Sequence, residues 1–397
     1  MIHADTTAMK EKIQQLAARF YPHVVALRRD IHAHPELSKQ EIKTAALVAS
    51  ELQKLNIPIQ THIAGHGVVG IIRGKNPDKR CIALRADMDA LPIHEQNDKP
   101  YKSLNEGVMH ACGHDVHTAN LLGAAMILSE IRDEWEGTIK LIFQPSEEKI
   151  PSGAQAMIEA GVLHNPTVDS MYGLHVHTEL EAGQMGFRMG NFMASTDEIY
   201  LTVIGKGGHA AQPANFISPL IISAEILLAL QPLTDMTKPT VLSFGKIRAD
   251  GATNVVPDKA ELEGTLRCFD EDTRAKQHER MTNICTEIAA KHGGRCEVNI
   301  LKGYPVLFNN EKLTAAAQNT AKEYLGQENI HDLPIRMGAE DFAFYTQKVP
   351  ACFYRIGVAN FVNGISSAIH TPSFDVDETA LLHSTGLMAW IAVQDLL

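Results

Sequence analysis

The chain lacks any apolar run of the roughly 18 residues that a bilayer-crossing helix needs, so no membrane span is expected. It also lacks a basic start followed by an apolar stretch: MIHADTTAMKEKIQQL does not read as a secretory signal. There is no CxxC pair; the six cysteines (81, 112, 268, 285, 296 and 352) are scattered. That spacing argues against a disulfide framework and for a reducing, cytoplasmic setting. Basic charge is in deficit, 36 Lys and Arg against 47 Asp and Glu, for a net −11. Such a balance repels nucleic-acid phosphates and anionic membrane surfaces, which excludes both as partners. No internal repeat or low-complexity tract is present.

What remains is a chain of 397 residues, 45% hydrophobic, long enough for two domains with substantial cores. Apolar positions at helical spacing predict helices over 9–29 and 41–55, the second with Ser38 as its cap. Short apolar runs at Val68–Arg73, Cys81–Ala86, Ile139–Phe143 and Met171–Val176, with a helix over Thr118–Ile131, predict an α/β fold with a mainly parallel sheet covered on both faces. From about residue 188 the pattern changes. Strands at Ile199–Ile204, Val241–Ile247, Lys259–Cys268 and Cys296–Leu301 and helices at Pro219–Leu230 and Arg274–His292 follow the β-α-β-β-α-β order of a ferredoxin-like unit. A last helix is expected over Glu378–Leu397. The organisation read from this is a catalytic domain of residues 1–187 and 301–397, interrupted by an insert at 188–300.

Five polar segments stand out: RADMD (Arg85–Asp89), HACGHD (His110–Asp115), QPSEE (Gln144–Glu148), GLHVH (Gly173–His177) and IHTPSFD (Ile369–Asp375). Three follow or end a predicted strand, and open α/β sheets bind ligands beyond the carboxyl ends of their strands. Cys thiolate, His nitrogen and carboxylate oxygen are the donors that borderline divalent ions take. Cys112, His114, Glu148, His175 and His370 supply five. Five are too many for one catalytic ion with an open position, but they suit two ions sharing a bridging thiolate at Cys112. Glu147, beside a ligand, is then free to act as general base. Asp87 and Asp89 are read as acceptors that orient a ligand imidazole. Singly, each residue has an ordinary explanation: a buried Cys is a small hydrophobe, and paired Glu complement a helix start. Five residues of ligand type with an adjacent acid, in segments three of which stand at strand ends, outweigh the ordinary explanations taken together.

HACGHD, QPSEE, GLHVH, GGHAAQP, ATNVVPD, GAEDFAFY and HTPSFDVDE, in that order, resemble the amidohydrolase branch of the aminoacylase and carboxypeptidase metallopeptidases. Hippurate hydrolases and auxin-conjugate hydrolases belong to that branch. The resemblance begins near RRDIHAHPE (Arg28–Glu36) and runs to the C-terminal helix. It implies a dinuclear catalytic domain with an inserted lid that dimerises, two divalent metal ions (zinc or manganese), and hydrolysis of the amide bond of small N-acyl amino acids. It implies metal ligation by the five residues above, with Glu147 as base. It further implies that His209 of GGHAA stabilises the oxyanion, often in the partner's site, that Asn254 contacts substrate, and that Arg267 of GTLR holds a substrate carboxylate. Guanidinium pairs with carboxylate at two points, which gives that last role a physical rationale. Two positions depart from the family pattern: Ala214 and Ser218 stand where relatives carry His and Asp. KIPSG (Lys149–Gly153) replaces a glycine-rich turn. GKGG (Gly205–Gly208) lacks phosphate-loop spacing and is read as a tight turn that presents His209.

Overall fold

Strands whose every residue is apolar or paired can be buried on both faces, and the three longest of that kind here are. Cys81–Asp87, Thr138–Gln144 and Ala351–Ala359 have no exposed position, so helices cover the sheet on both sides. The computed structural model describes residues 2–237 and 239–397. The chain forms two compact units. One comprises Met1–Gly190, Phe308–Pro334 and Phe344–Leu397, the other Asn191–Leu307 and Ile335–Ala343. The second unit thus takes in Ile335–Ala343, a segment that strand and helix patterns alone leave with the first.

In the first unit an eight-stranded sheet runs in the order Ile59–Ile63, Gly67–Arg73, Thr138–Gln144, Cys81–Asp87, Ser170–Glu181, Ala351–Ala359, Met185–Phe187, Ile330–Asp332. Its centre, Thr138–Gln144 to Ala351–Ala359, is parallel; antiparallel pairs flank it. Register does the positioning. Asp87 pairs with Gln144, and Arg85 with Gly173, so His175, two residues on, stands level with Asp87. RADMD and QPSEE therefore leave their strands level with His175 of GLHVH, whose own strand runs on to Glu181.

The first helix is longer than its periodic core suggested, Ile2–Ala33, and runs through Pro22. One lost backbone bond is offset by a continuous buried stripe at Ile13, Leu16, Ala17, Val24, Leu27 and Ile31. The second helix, Ile42–Lys54, is not capped by Ser38. Glu36 instead accepts the Lys43 and Thr44 N–H groups at 3.0 and 2.9 Å, while the Ser38 hydroxyl donates to Asp89 at 2.6 Å. A carboxylate on a flexible arm can satisfy the helix start from outside, which frees Ser38 for the interior.

The third helix, His114–Glu130, begins four residues before the expected start. Gly113 makes this possible. It sits at φ +88°, and a Cβ there would meet Val176 at 2.6 Å, so only glycine lets the turn close against the His175–His177 strand. As a result Cys112 precedes a left-handed glycine and His114 opens the helix.

In the second unit four antiparallel strands stand in the order Val241–Arg248, Lys259–Arg267, Asp197–Ile204, Arg295–Lys302. Helices Pro219–Leu230 and Glu271–Lys291 pack with them over a separate core of Ile199, Leu201, Val203, Ile222, Ile226 and Leu262, among others. This is the ferredoxin-like βαββαβ order. The alternating burial of Asp197–Ile204 marks a sheet with one face on that core.

Candidate dinuclear metal centre

Parallel register and the Gly113 turn bring the expected ligands together in two groups of donors. Cys112, His114 and His175 form one; Cys112, Glu148 and His370 form the other. Within each group the donor atoms lie within 4.8 Å of one another. Cys112 Sγ is 3.3 Å from His175 Nε2 and 3.2 Å from His370 Nε2, and Glu148 Oε1 is 3.3 Å from His370 Nε2. Cys112 is common to both groups, as a bridging donor must be.

The donors fit divalent ions on a further observation. Nε2 of His114 is buried and makes no hydrogen bond, while its Nδ1 faces Asp89 at 3.4 Å. Buried polar atoms left unsatisfied are costly, and a cation removes that cost. His175 is set for the same purpose. Its Nδ1 donates to the Val176 carbonyl at 2.9 Å, which leaves Nε2 as the lone-pair nitrogen facing Cys112. Burial, with Arg355 nearby, pushes its pKa well below the usual value and keeps the ring neutral. His370 differs. Hydrogen bonds to Cys112 and Glu148 push it up to about 10, and its backbone is held at φ +63° with its N–H on the Ala111 carbonyl at 2.7 Å.

Asp89 and Asp87 both lie beside the His114 ring, at 3.4 and 3.8 Å, and each has further partners. Asp89 lies 3.4 Å from His114 Nδ1, but it also accepts the consecutive Glu147 and Glu148 N–H groups at 2.9 and 3.0 Å. It therefore aims the glutamate pair as well as a ligand ring. Asp87 accepts from Arg85 at 2.6 Å and from His117 Nδ1 at 2.6 Å. Burial alone would raise its pKa; Arg85, His114 and His117 override that and hold it well below the carboxylate range.

His117 escaped the sequence reading. Although it stands near Asp87 and His114, both its nitrogens are used, Nδ1 by Asp87 and Nε2 by the Val176 N–H at 3.0 Å. It is thus a brace rather than a donor, locking the backbone beside His175. The signal was available: His110, His114 and His117 recur at helical spacing. Behind them Arg28 donates to Asp115 at 2.7 Å, and His32 Nδ1 meets the same carboxylate at 2.7 Å, tying the first helix to the ligand turn.

His209, Asn254 and Arg267 belong to the second unit. His209 pairs with Val255, and the Ala210 N–H donates to the Asn254 carbonyl at 3.0 Å, so His209 and Asn254 are neighbours. The Ala211 N–H donates to His209 Nδ1 at 3.1 Å, leaving the exposed ring's Nε2 as the N–H donor. Arg267 ends its strand half-buried, and burial draws its pKa below the usual value.

A family profile described as Peptidase family M20/M25/M40 matches residues 83–392. The chain belongs to that family. It is accordingly a metal-dependent hydrolase of the amidohydrolase and peptidase kind. Among relatives, the N-acetylcysteine deacetylase of Bacillus subtilis is 38% identical over 379 residues, 94% of this chain and 97% of that one. Thermostable carboxypeptidase 2 of Saccharolobus solfataricus is 39% identical over 378 residues, covering 94% and 95%. The crystal structure of the Bacillus subtilis YXEP protein, a dinuclear metal-binding peptidase of family M20, superposes with a TM-score of 0.83 at 35% identity, covering 96% and 99%. The described residues include no helix long and apolar enough to cross a membrane.

Proposed function

We propose that this enzyme hydrolyses the amide bond of small N-acyl amino acids, releasing a carboxylic acid and an amino acid. The observation that carries the reading is the pair of donor groups sharing Cys112, with Glu147 buried beside them on the Asp89-held loop. Cys112, His114 and His175 would hold one divalent ion and Cys112, Glu148 and His370 the other, zinc or manganese. Bound there, such ions polarise a carbonyl and acidify water.

The chain's own residues supply the rest. Glu147 accepts a proton from the attacking water and delivers it to the leaving amine. His209, with Nε2 as its free N–H, donates to the developing oxyanion. Arg267, which forms no ion pair among the described residues, takes the substrate carboxylate, and Asn254 contacts the substrate beside it. In this reading residues 1–187 and 301–397 are the catalytic domain. Residues 188–300 act as a lid through which a cytoplasmic homodimer forms, and His209 serves the partner's site.

The N-acetylcysteine deacetylase among the relatives supports the acyl reading. A carboxypeptidase among them supports a second one, in which the acyl group is itself an aminoacyl residue; Arg267 serves both. The test is a hydrolysis screen of N-acetyl, N-benzoyl and N-indoleacetyl amino acids against dipeptides, on protein reconstituted separately with zinc, manganese and cobalt. Turnover confined to substrates with a free α-amine would overturn the proposal.

A further inference from the structure

The Ser146–Glu147–Glu148 turn is built in an unfavourable backbone conformation, and something outside it must hold it there. Ser146 sits at φ +55°, a left-handed conformation that residues other than glycine rarely adopt. Each N–H of this three-residue run points into a buried carboxylate. Ser146 N–H donates to Glu41 Oε1 at 2.7 Å, and the next two donate to Asp89. Glu41 is fully buried and its Oε1 also takes the Lys39 N–H at 3.0 Å and the Ser146 hydroxyl at 3.2 Å. The Lys39 N–H donates in turn to Ser146 Oγ at 2.8 Å, from a residue that is itself left-handed at φ +69°. Ser38 completes the arrangement by donating to Asp89 at 2.6 Å. Two left-handed residues from distant parts of the chain are thus locked to each other through one carboxylate.

We propose that Glu41 is a positioning residue for the metal centre: its Oε1 fixes the backbone of Ser146 and thereby aims Glu147 and Glu148, with Ser38 acting through Asp89 in the same clamp. This rests on the roles proposed above for Glu147 and Glu148. The clamp lies in HPELSKQE (His34–Glu41), upstream of residue 83, where the family match begins. Oε2 of Glu41 is buried without a hydrogen-bond partner, so the function asked of the side chain is one accepting oxygen. Glutamine keeps that oxygen, and alanine does not.

The test is zinc titration of the metal-stripped full-length chain against a competing chelator, followed by kcat and KM on N-acetylcysteine. Glu41→Ala is expected to weaken one of two zinc sites by about 10–100-fold, the loss typical of a residue that orients a ligand. The other site keeps its affinity. On loaded enzyme kcat should fall by about 10²-fold with KM within a few-fold, because the proton acceptor is displaced rather than the substrate pocket. Glu41→Gln should restore both readouts to within about threefold. If Glu41→Ala does not fold, Ser38→Ala carries the test, with a smaller loss at the same zinc site. A lowered melting temperature with both zinc affinities unchanged makes the clamp purely structural and overturns the inference, as does a glutamine variant no better than alanine. Should Glu147→Gln retain turnover, the proposed reaction fails, whereas a selective zinc loss in Glu41→Ala would still stand.

Discussion

The two donor groups that share Cys112 are built differently. Cys112, His114 and His175 are all buried, and one of their rings is locked through Val176. In the other group the Glu148 side chain is 14% exposed and that of His370 50%; His370 is itself left-handed, and Glu148 follows the left-handed Ser146 by two residues. One half is set by helix and strand, the other by loops. A donor set on regular elements holds its ion with little reorganisation, while one on loops can admit a substrate oxygen and let an ion exchange.

The sharpest way to break the comparison is to remove what the halves share. Cys112→Ala leaves each group two donors, so metal analysis after desalting should show both ions lost and turnover abolished. One ion retained at full activity would mean the halves do not share a bridge. Next in size is the glutamate pair. Glu147→Gln is expected to keep about two ions per chain and lose about 10²–10⁴ in kcat, whereas Glu148→Gln should lose the ion of the looped half alone. Chelator competition should then order the halves: the ion held by Glu148 and His370 leaves first, and His370→Ala removes it without disturbing its neighbour. His117→Gln tests the closed half, with a loss of about 10–100-fold in affinity for that ion only.

The smallest effect lies outside both halves. In the second unit Asp197 is buried against Arg274, 2.9 Å from Nε, and His278, at 2.6 Å. Burial opposes its ionisation, but these partners hold its pKa below the carboxylate range. A depressed carboxylate contributes stability that is fully present above the unfolded value near pH 4 and is lost as pH falls through the folded one. Asp197→Asn should therefore lower the melting temperature at neutral pH and flatten its fall below about pH 4, without changing metal affinity. A metal loss in that variant would couple the second unit to the centre.

Much of the fold was legible because its grammar is local. Continuous apolar runs separated by helices announced the buried parallel strands, and the alternation of A-E-L-E-G-T-L-R announced the exposed sheet of the second unit. The candidate donors were legible because Cys, His and Glu gather in a few short polar segments. What escaped was whatever depends on contacts between distant residues. Nothing local distinguishes Ser38 at a helix start from Ser38 as a donor to Asp89, and Glu41 reads as an ordinary acid opening a helix. The early start of the His114 helix was hidden for a similar reason: Gly113 looks like a breaker until Val176 is seen packed against it.

The common sulfur atom also defines how this centre can fail. A pair of sites with separate ligands loses function stepwise as donors are damaged. Here a single oxidation of Cys112, to sulfenic acid or beyond, strips a donor from both groups at once. Cys112 is buried with its sulfur 3.2 Å from Nε2 of the half-exposed His370, so an ion held by Glu148 and His370 would also cover the thiolate. Loss of that ion and sensitivity to oxidant should therefore rise together, and a thiol reductant should restore the enzyme only while damage has stopped at the sulfenic step.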